Sequence, residues 1–140
     1  MKNTRVLIDT NVLIDYICER EVFIQASTEI FRLCETKQIQ ASIAAHSVQN
    51  ILYILRKDYT QAQLREILLY ICNALNVIEI DRYKVILALQ NKRFRDFEDC
   101  LQSLCAEKFY AKYIITRNCK DFSASVVPAV SPQEFLALFN

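Results

Sequence analysis

What most constrains this chain is a series of short, mostly apolar runs, each followed by residues at helical spacing. Arg5-Val6-Leu7-Ile8 is the first and ends at Asp9. Ile39–Ala44, Val77–Ile80, Tyr113–Thr116 and Val126–Val130 repeat the theme. A strand with one face in water alternates apolar and polar residues, whereas a strand covered on both faces need not. These runs therefore read as strands sandwiched between helices. The intervening helices are carried by Val12, Leu13, Tyr16 and Ile17, by Val22–Cys34, and by Ile51, Ile54 and Leu55 behind a Ser47 cap. Tyr53 falls by helical spacing among the core positions of that third helix; the alternative is that it, like Phe94, offers a ring for stacking. Thr60 opens a fourth with Leu64, Ile67, Leu68, Ile71 and Leu75, and Tyr83–Asn91 and Phe97–Ala111 follow. Ser131-Pro132-Gln133-Glu134 starts the last, with Ser at the cap, Pro at the first helical position and Glu three residues after the cap. The alternation predicts one α/β domain over residues 1–140, with a parallel sheet of about five strands and helices on both faces in three layers.

Absences narrow the chemistry. The 140 residues include no glycine, which excludes Gly-rich phosphate loops, dinucleotide fingerprints and the G-x-S-x-G nucleophile elbow. One histidine, His46, excludes the two-histidine zinc motifs. The six cysteines form no C-x-x-C pair and sit mostly within apolar helical patterns, as buried free thiols do. Asp9, Asn11 and Asp15 interrupt the early apolar stretch, so no export signal is expected, and no run approaches the ~20 residues that span a bilayer. The expectation is a reduced, cytoplasmic protein with no membrane partner. A net charge of +1 means that any nucleic-acid binding must be local.

In an open parallel sheet, ligands sit beyond the carboxyl ends of the strands. Asp9 follows the first strand, Asp121 lies in the loop after the fourth, and Asp96 and Asp99 open one helix. Each alone is an ordinary cap or solvated charge; together they bring acid from three segments to one edge. Two charges ~5 Å apart at an effective dielectric of ~20 repel by roughly 3 kcal/mol, so such a cluster needs a shared proton or a divalent cation. Oxygen donors with almost no histidine or thiolate favour Mg²⁺ or Mn²⁺ over zinc. Phosphodiester hydrolysis is the reaction that follows most naturally.

Val6-Leu7-Ile8-Asp9-Thr10-Asn11-Val12-Leu13-Ile14-Asp15 resembles the opening motif of PIN domains. Asp96-Phe97-Glu98-Asp99-Cys100 with Ala106, and Ile115-Thr116-Arg117-Asn118 with Asp121-Phe122, resemble the later two motifs. Val130-Ser131-Pro132-Gln133-Glu134-Phe135-Leu136 is similar to that family's closing segment, so the likeness runs through essentially the whole chain. The resemblance implies a metal-dependent endoribonuclease like the toxin half of VapC-type toxin–antitoxin pairs, with RNA as substrate, Mg²⁺ or Mn²⁺ as cofactor, a cognate antitoxin and a homodimer. It implies Asp9 as the first metal ligand, Asp99 as the third acid, Asp96 as an auxiliary ligand or positioning group, and Asp121 acting on the metal through water. Thr116, Asn118 and Asn11 would orient water or a phosphate oxygen.

One position departs from that pattern. The family's second acid, a glutamate near the start of the third helix, aligns with Asn50, an uncharged ligand at best. Asn50 also fits a capping-box partner of Ser47. A non-cutting PIN-like module that binds RNA or antitoxin is therefore the rival reading. His46 is either a base or phosphate contact, or a surface or capping residue. Arg56-Lys57, Lys92-Arg93 with Arg95, and Arg117 with Lys120 are either solvated surface or the rim that holds RNA phosphates, with Arg117, Arg95 and Arg56 as the named contacts. A phospho-receiver needs a lysine after strand five, which Val127-Pro128-Ala129-Val130 lacks, and a haloacid-dehalogenase-type phosphatase needs an acid where Asn11 stands.

Overall fold

Residues Thr4–Ile8 (β1) form the middle of a sheet, and everything that positions the polar residues follows from that placement. The structure, a computed structural model, describes residues 3–139. After β1 come α1 (Thr10–Ile17), α2 (Ile24–Glu35), β2 (Ile39–Ala44), α3 (Ala45–Ile54), α4 (Gln61–Ala74), β3 (Asn76–Ile78) and α5 (Arg82–Gln90). Then follow α6 (Phe97–Lys108), β4 (Tyr113–Ile115), a 3₁₀ turn (Cys119–Phe122), β5 (Ala129–Val130) and α7 (Pro132–Phe139). Among the described residues five strands run parallel in the order β3-β2-β1-β4-β5, with Val6 beside Ala41 on one side and Leu7 beside Ile114 on the other.

The side chains of β1 divide between two cores. Val6 and Ile8 pack with Val12, Ile30, Phe31, Ile43, Ile51 and Phe135 under α1 to α4 and α7. Leu7 packs with Cys105, Ala106, Phe109, Ile114 and Phe122 under α6. All three are fully buried. Expectation and structure agree here: a strand read as apolar throughout is one covered on both faces. The outer strands are shorter than their apolar runs. Val77 is 42% exposed and the chain leaves the sheet after Ile78, while Val126 is 77% exposed and pairing begins only at Ala129. An edge strand has one neighbour to hold it, so its pairing stops sooner.

Thr60 and Ser131 close the capping boxes that begin α4 and α7. Ser47 does not cap α3. β2 runs directly into that helix, its first turn starts at Ala45, and Ser47 is fully buried within it. Without glycine, three helices end on other residues in the left-handed region: Glu19 (φ 50°), Lys37 (φ 61°) and Tyr110 (φ 58°). Each ending has the paired backbone bonds of a Schellman motif, such as Ala111 N to Ala106 O at 2.9 Å and Tyr110 N to Glu107 O at 3.0 Å. All six cysteines are free thiols. Among the described residues no helix is long and apolar enough to cross a membrane.

Candidate active site

The chain reverses its direction of strand addition at β1 and β4, and the crevice beyond their carboxyl ends is where such sheets hold ligands. Asp9 leaves β1 with its backbone N–H on Ile115 O at 2.9 Å, and Thr116 follows β4 directly. Thr116, fully buried, donates to Asp9 Oδ2 at 2.8 Å. It accepts from Asn11 Nδ2 at 3.2 Å and from the Asn118 N–H at 3.0 Å. Asp9 also caps α1, where Oδ1 accepts from the Thr10 N–H at 2.8 Å, and Asn11 donates to its Oδ2 at 3.2 Å. The carboxylate is thereby fixed in orientation, with one acceptor position of Oδ1 left over. Burial raises the Asp9 pKa, the bonds from Thr116 and Thr10 oppose this, and the charges of Asp121 and Glu98 add to the rise. Thr116 and Asn11, expected to orient water or phosphate, are occupied in holding Asp9 and the Arg117 N–H, which Asn11 Oδ1 accepts at 3.2 Å.

Asp99 lies where two recesses meet. A cleft of about 610 Å³ is lined by Arg93, Arg95, Asp96, Asp99, Lys120 and Asp121. A smaller recess of about 210 Å³ carries Asp9, Asn11, Asn50, Glu98, Asp99, Gln102 and Asn118 among its walls. Burial first, then the charges of Asp96, Asp9, Asp121 and Glu98, push Asp99 up to about 7. The acids expected at one edge divide between the two recesses, Asp96 and Asp121 lining the larger and Asp9 the smaller, with Asp99 common to both. Asp96 spends an oxygen as the cap of α6, accepting from the Asp99 N–H at 3.0 Å.

Asn50 is not a capping partner, because Ser47 is bonded elsewhere. Its hydroxyl pairs with Thr10 Oγ1 at 2.8 Å and accepts from Gln102 Nε2 at 3.1 Å. Asn50 Nδ2 instead donates to Glu98 Oε2 at 2.8 Å. Glu98 and Gln102 were not singled out from sequence. A neutral residue where a charged one is expected was the signal that an acid should be sought elsewhere, and Glu98 is one residue from Asp99.

The cations sort differently from expectation. Arg95 lines the larger cleft with Arg93 and Lys120. Arg117 is turned away, its Nε 2.6 Å from Oδ2 of the buried Asp15 and its guanidinium 4.5 Å above the Phe23 ring. Arg56 stacks 3.8 Å over Tyr53, which is 64% exposed rather than in the core, and lines neither recess. His46 has both ring nitrogens buried without a partner among the described residues; burial lowers its pKa, against the charges of Glu98 and Asp96.

The donors of the smaller recess are carboxylate and amide oxygens, which suit a hard divalent cation. Among the described residues no three acidic, histidine or cysteine side chains lie close enough to encage an ion. Mg²⁺ seldom has such a cage, since it keeps several waters and binds one or two carboxylates. The donor chemistry therefore fits the implied cation.

Ribonuclease VapC1 of Aquifex aeolicus is 26% identical over 144 aligned positions, covering 100% of this chain and 99% of that protein. A chain of a toxin–antitoxin complex from Klebsiella pneumoniae superposes with a TM-score of 0.66 at 22% identity, over 91% of this chain and 97% of that one. A chain of VapBC-1 from nontypeable Haemophilus influenzae gives 0.69 at 14% identity, over 93% and 99%. The family model described as PIN domain matches residues 5–120, so this chain belongs to the PIN domain family.

Proposed function

We propose that the protein is a divalent-metal-dependent endoribonuclease that hydrolyses RNA phosphodiester bonds and acts as the toxin of a toxin–antitoxin pair. The observation that carries this reading is the placing of Asp99, which shares one recess with Asp9 and the other with three cations. Arg93, Arg95 and Lys120 would hold the RNA backbone by its phosphates while Asp99 and Asp121 meet the scissile group. Asp9, pinned by Thr116, Thr10 and Asn11, would hold Mg²⁺ or Mn²⁺ with Asp99, the two lining one recess. When bound, the cation stabilises charge on a phosphodiester oxygen and lowers the pKa of a bound water. Asn118, which lines the recess, would orient that water or a phosphate oxygen. The ribonuclease and toxin–antitoxin names of the relatives support this reading. A groove lined by Tyr16, Ile17, Ile24, Ile67 and Tyr70 offers an antitoxin segment apolar contact.

The neutral Asn50 favours a second reading, a PIN domain that binds RNA without cutting it. End-labelled single-stranded RNA distinguishes the two. Cleavage that needs Mg²⁺ or Mn²⁺, stops with chelator and falls at least ~100-fold in Asp99→Asn supports the nuclease. RNA retained intact, at a rate no greater than with Asp99→Asn, leaves the binding module.

A further inference from the structure

Of the polar groups around Asp99, Glu98 is the one whose placing nothing above explains. It is exposed, in the first turn of α6, and pairs with no cation among the described residues. Its Oε2 accepts from Asn50 Nδ2 at 2.8 Å across 48 residues of sequence, and both line the recess that holds Asp9 and Asp99. We propose that Glu98, oriented by Asn50, supplies to the divalent-cation site the negative charge that position 50 lacks. This rests on the reading that the recess binds such a cation.

The chemistry is specific to this pair. An asparagine can donate to a carboxylate and leave its charge intact, whereas two carboxylates at that separation would repel. One charge is therefore shared between two chain positions, one providing it and the other aiming it. A further polar residue borders the same recess. Gln102 is 2% exposed and its Nε2 donates to Thr10 and Ser47, while its Oε1 is buried without a partner among the described residues. Gln102 forms part of the same wall as Glu98 and Asn50 and adds a polar group with unmet hydrogen-bonding capacity behind it.

The test is Mn²⁺ binding without RNA, measured by titration calorimetry and by loss of the free-ion electron paramagnetic resonance signal. Glu98→Gln is expected to weaken Mn²⁺ binding at least ~10-fold, and Glu98→Asp by less. Moving the charge back, in the double variant Glu98→Gln with Asn50→Glu, is expected to recover affinity to within about threefold of the starting protein, on the same order-of-magnitude footing. Circular dichroism melts check that each variant folds, and the charge-retaining Glu98→Asp remains informative if Glu98→Gln does not. If Asp99→Asn abolishes binding while Glu98→Gln leaves it unchanged, the proposal is overturned and the cation reading stands. If the double variant binds no better than Glu98→Gln, the shared-charge idea is overturned. If the unaltered protein binds no Mn²⁺, the reading beneath both fails.

Discussion

Replacing Thr116 by valine removes one oxygen and keeps the shape, which makes it the cleanest probe of how the site is held. That oxygen donates to Asp9 Oδ2 at 2.8 Å and accepts from Asn118 N–H at 3.0 Å and Asn11 Nδ2 at 3.2 Å. The bond to Asp9 involves a buried carboxylate, and losing such a charge-assisted bond costs about 1.5–3 kcal/mol. Asn118 is exposed and Asn11 half-buried, so water replaces most of what they lose, adding roughly 0.5–1 kcal/mol together. The expected destabilisation of Thr116→Val is thus about 2–4 kcal/mol. Thr116→Ser keeps the hydroxyl and gives up a methyl, for about 1 kcal/mol. Urea unfolding followed by circular dichroism, in chelator at pH 7.5, separates the two. Thr116→Val should also raise the Asp9 pKa further, because a lowering influence has gone. A valine variant within ~0.5 kcal/mol of the parent, or a serine variant as unstable as valine, would show that Thr116 is not the hub described.

Other consequences concern the rest of the fold. Glu19→Gly, Lys37→Gly and Tyr110→Gly should each raise stability by about 0.5–1 kcal/mol, since the left-handed backbone costs other residues ~1–2 kcal/mol and glycine's unfolded-state entropy returns part of that. The three sites are on different helices, so urea midpoints of the combined variant should show the sum; destabilisation at any one would contradict the reasoning. Burial pushes the Cys34 and Cys105 thiols up to about 12, above their ordinary 9.0. Ionisation then favours the unfolded chain, so their contribution is intact below pH ~9 and lost as pH climbs toward 12, by roughly 1–2 kcal/mol per thiol at pH 10.5. Unfolding at pH 8 and 10.5 should show a smaller pH effect in Cys34→Ala than in the parent. Arg95→Ala should reduce the dependence of RNA affinity on salt by about 0.7 in log–log slope, whereas Arg117→Ala should cost about 1.5–3 kcal/mol of stability, because Asp15, 1% exposed, then keeps only the longer 3.5 Å pair with Arg20. Filter binding across salt concentrations and urea titration would reveal any exchange of those two roles.

What could be read in advance followed from local pattern. The strands at Val6–Ile8 and Ile114–Ile115 were legible because double burial leaves no polar alternation, and the boxes at Thr60 and Ser131 because a cap is a matter of three or four residues. The acids Asp9, Asp96, Asp99 and Asp121 could be named because each sits just past a strand or at a helix start. Ser47 misled for the same local reason, since a serine before an apolar run looks like a cap unless the preceding strand is known to enter the helix without a loop. Tyr53 and Arg56 misled because helical spacing tells which residues share a face but not whether anything covers it.

Order along the chain determined which segments become strands and helices, and that acid would gather beyond the strand ends, because these depend on burial period and chain direction. The pairing of Asn50 with Glu98, of Gln102 with Thr10 and Ser47, and of Arg117 with Asp15 was decided only by the packed fold. Those partners are separated by tens of residues, and a hydrogen bond a few ångströms long depends on how helices are set against the sheet, which no local pattern encodes.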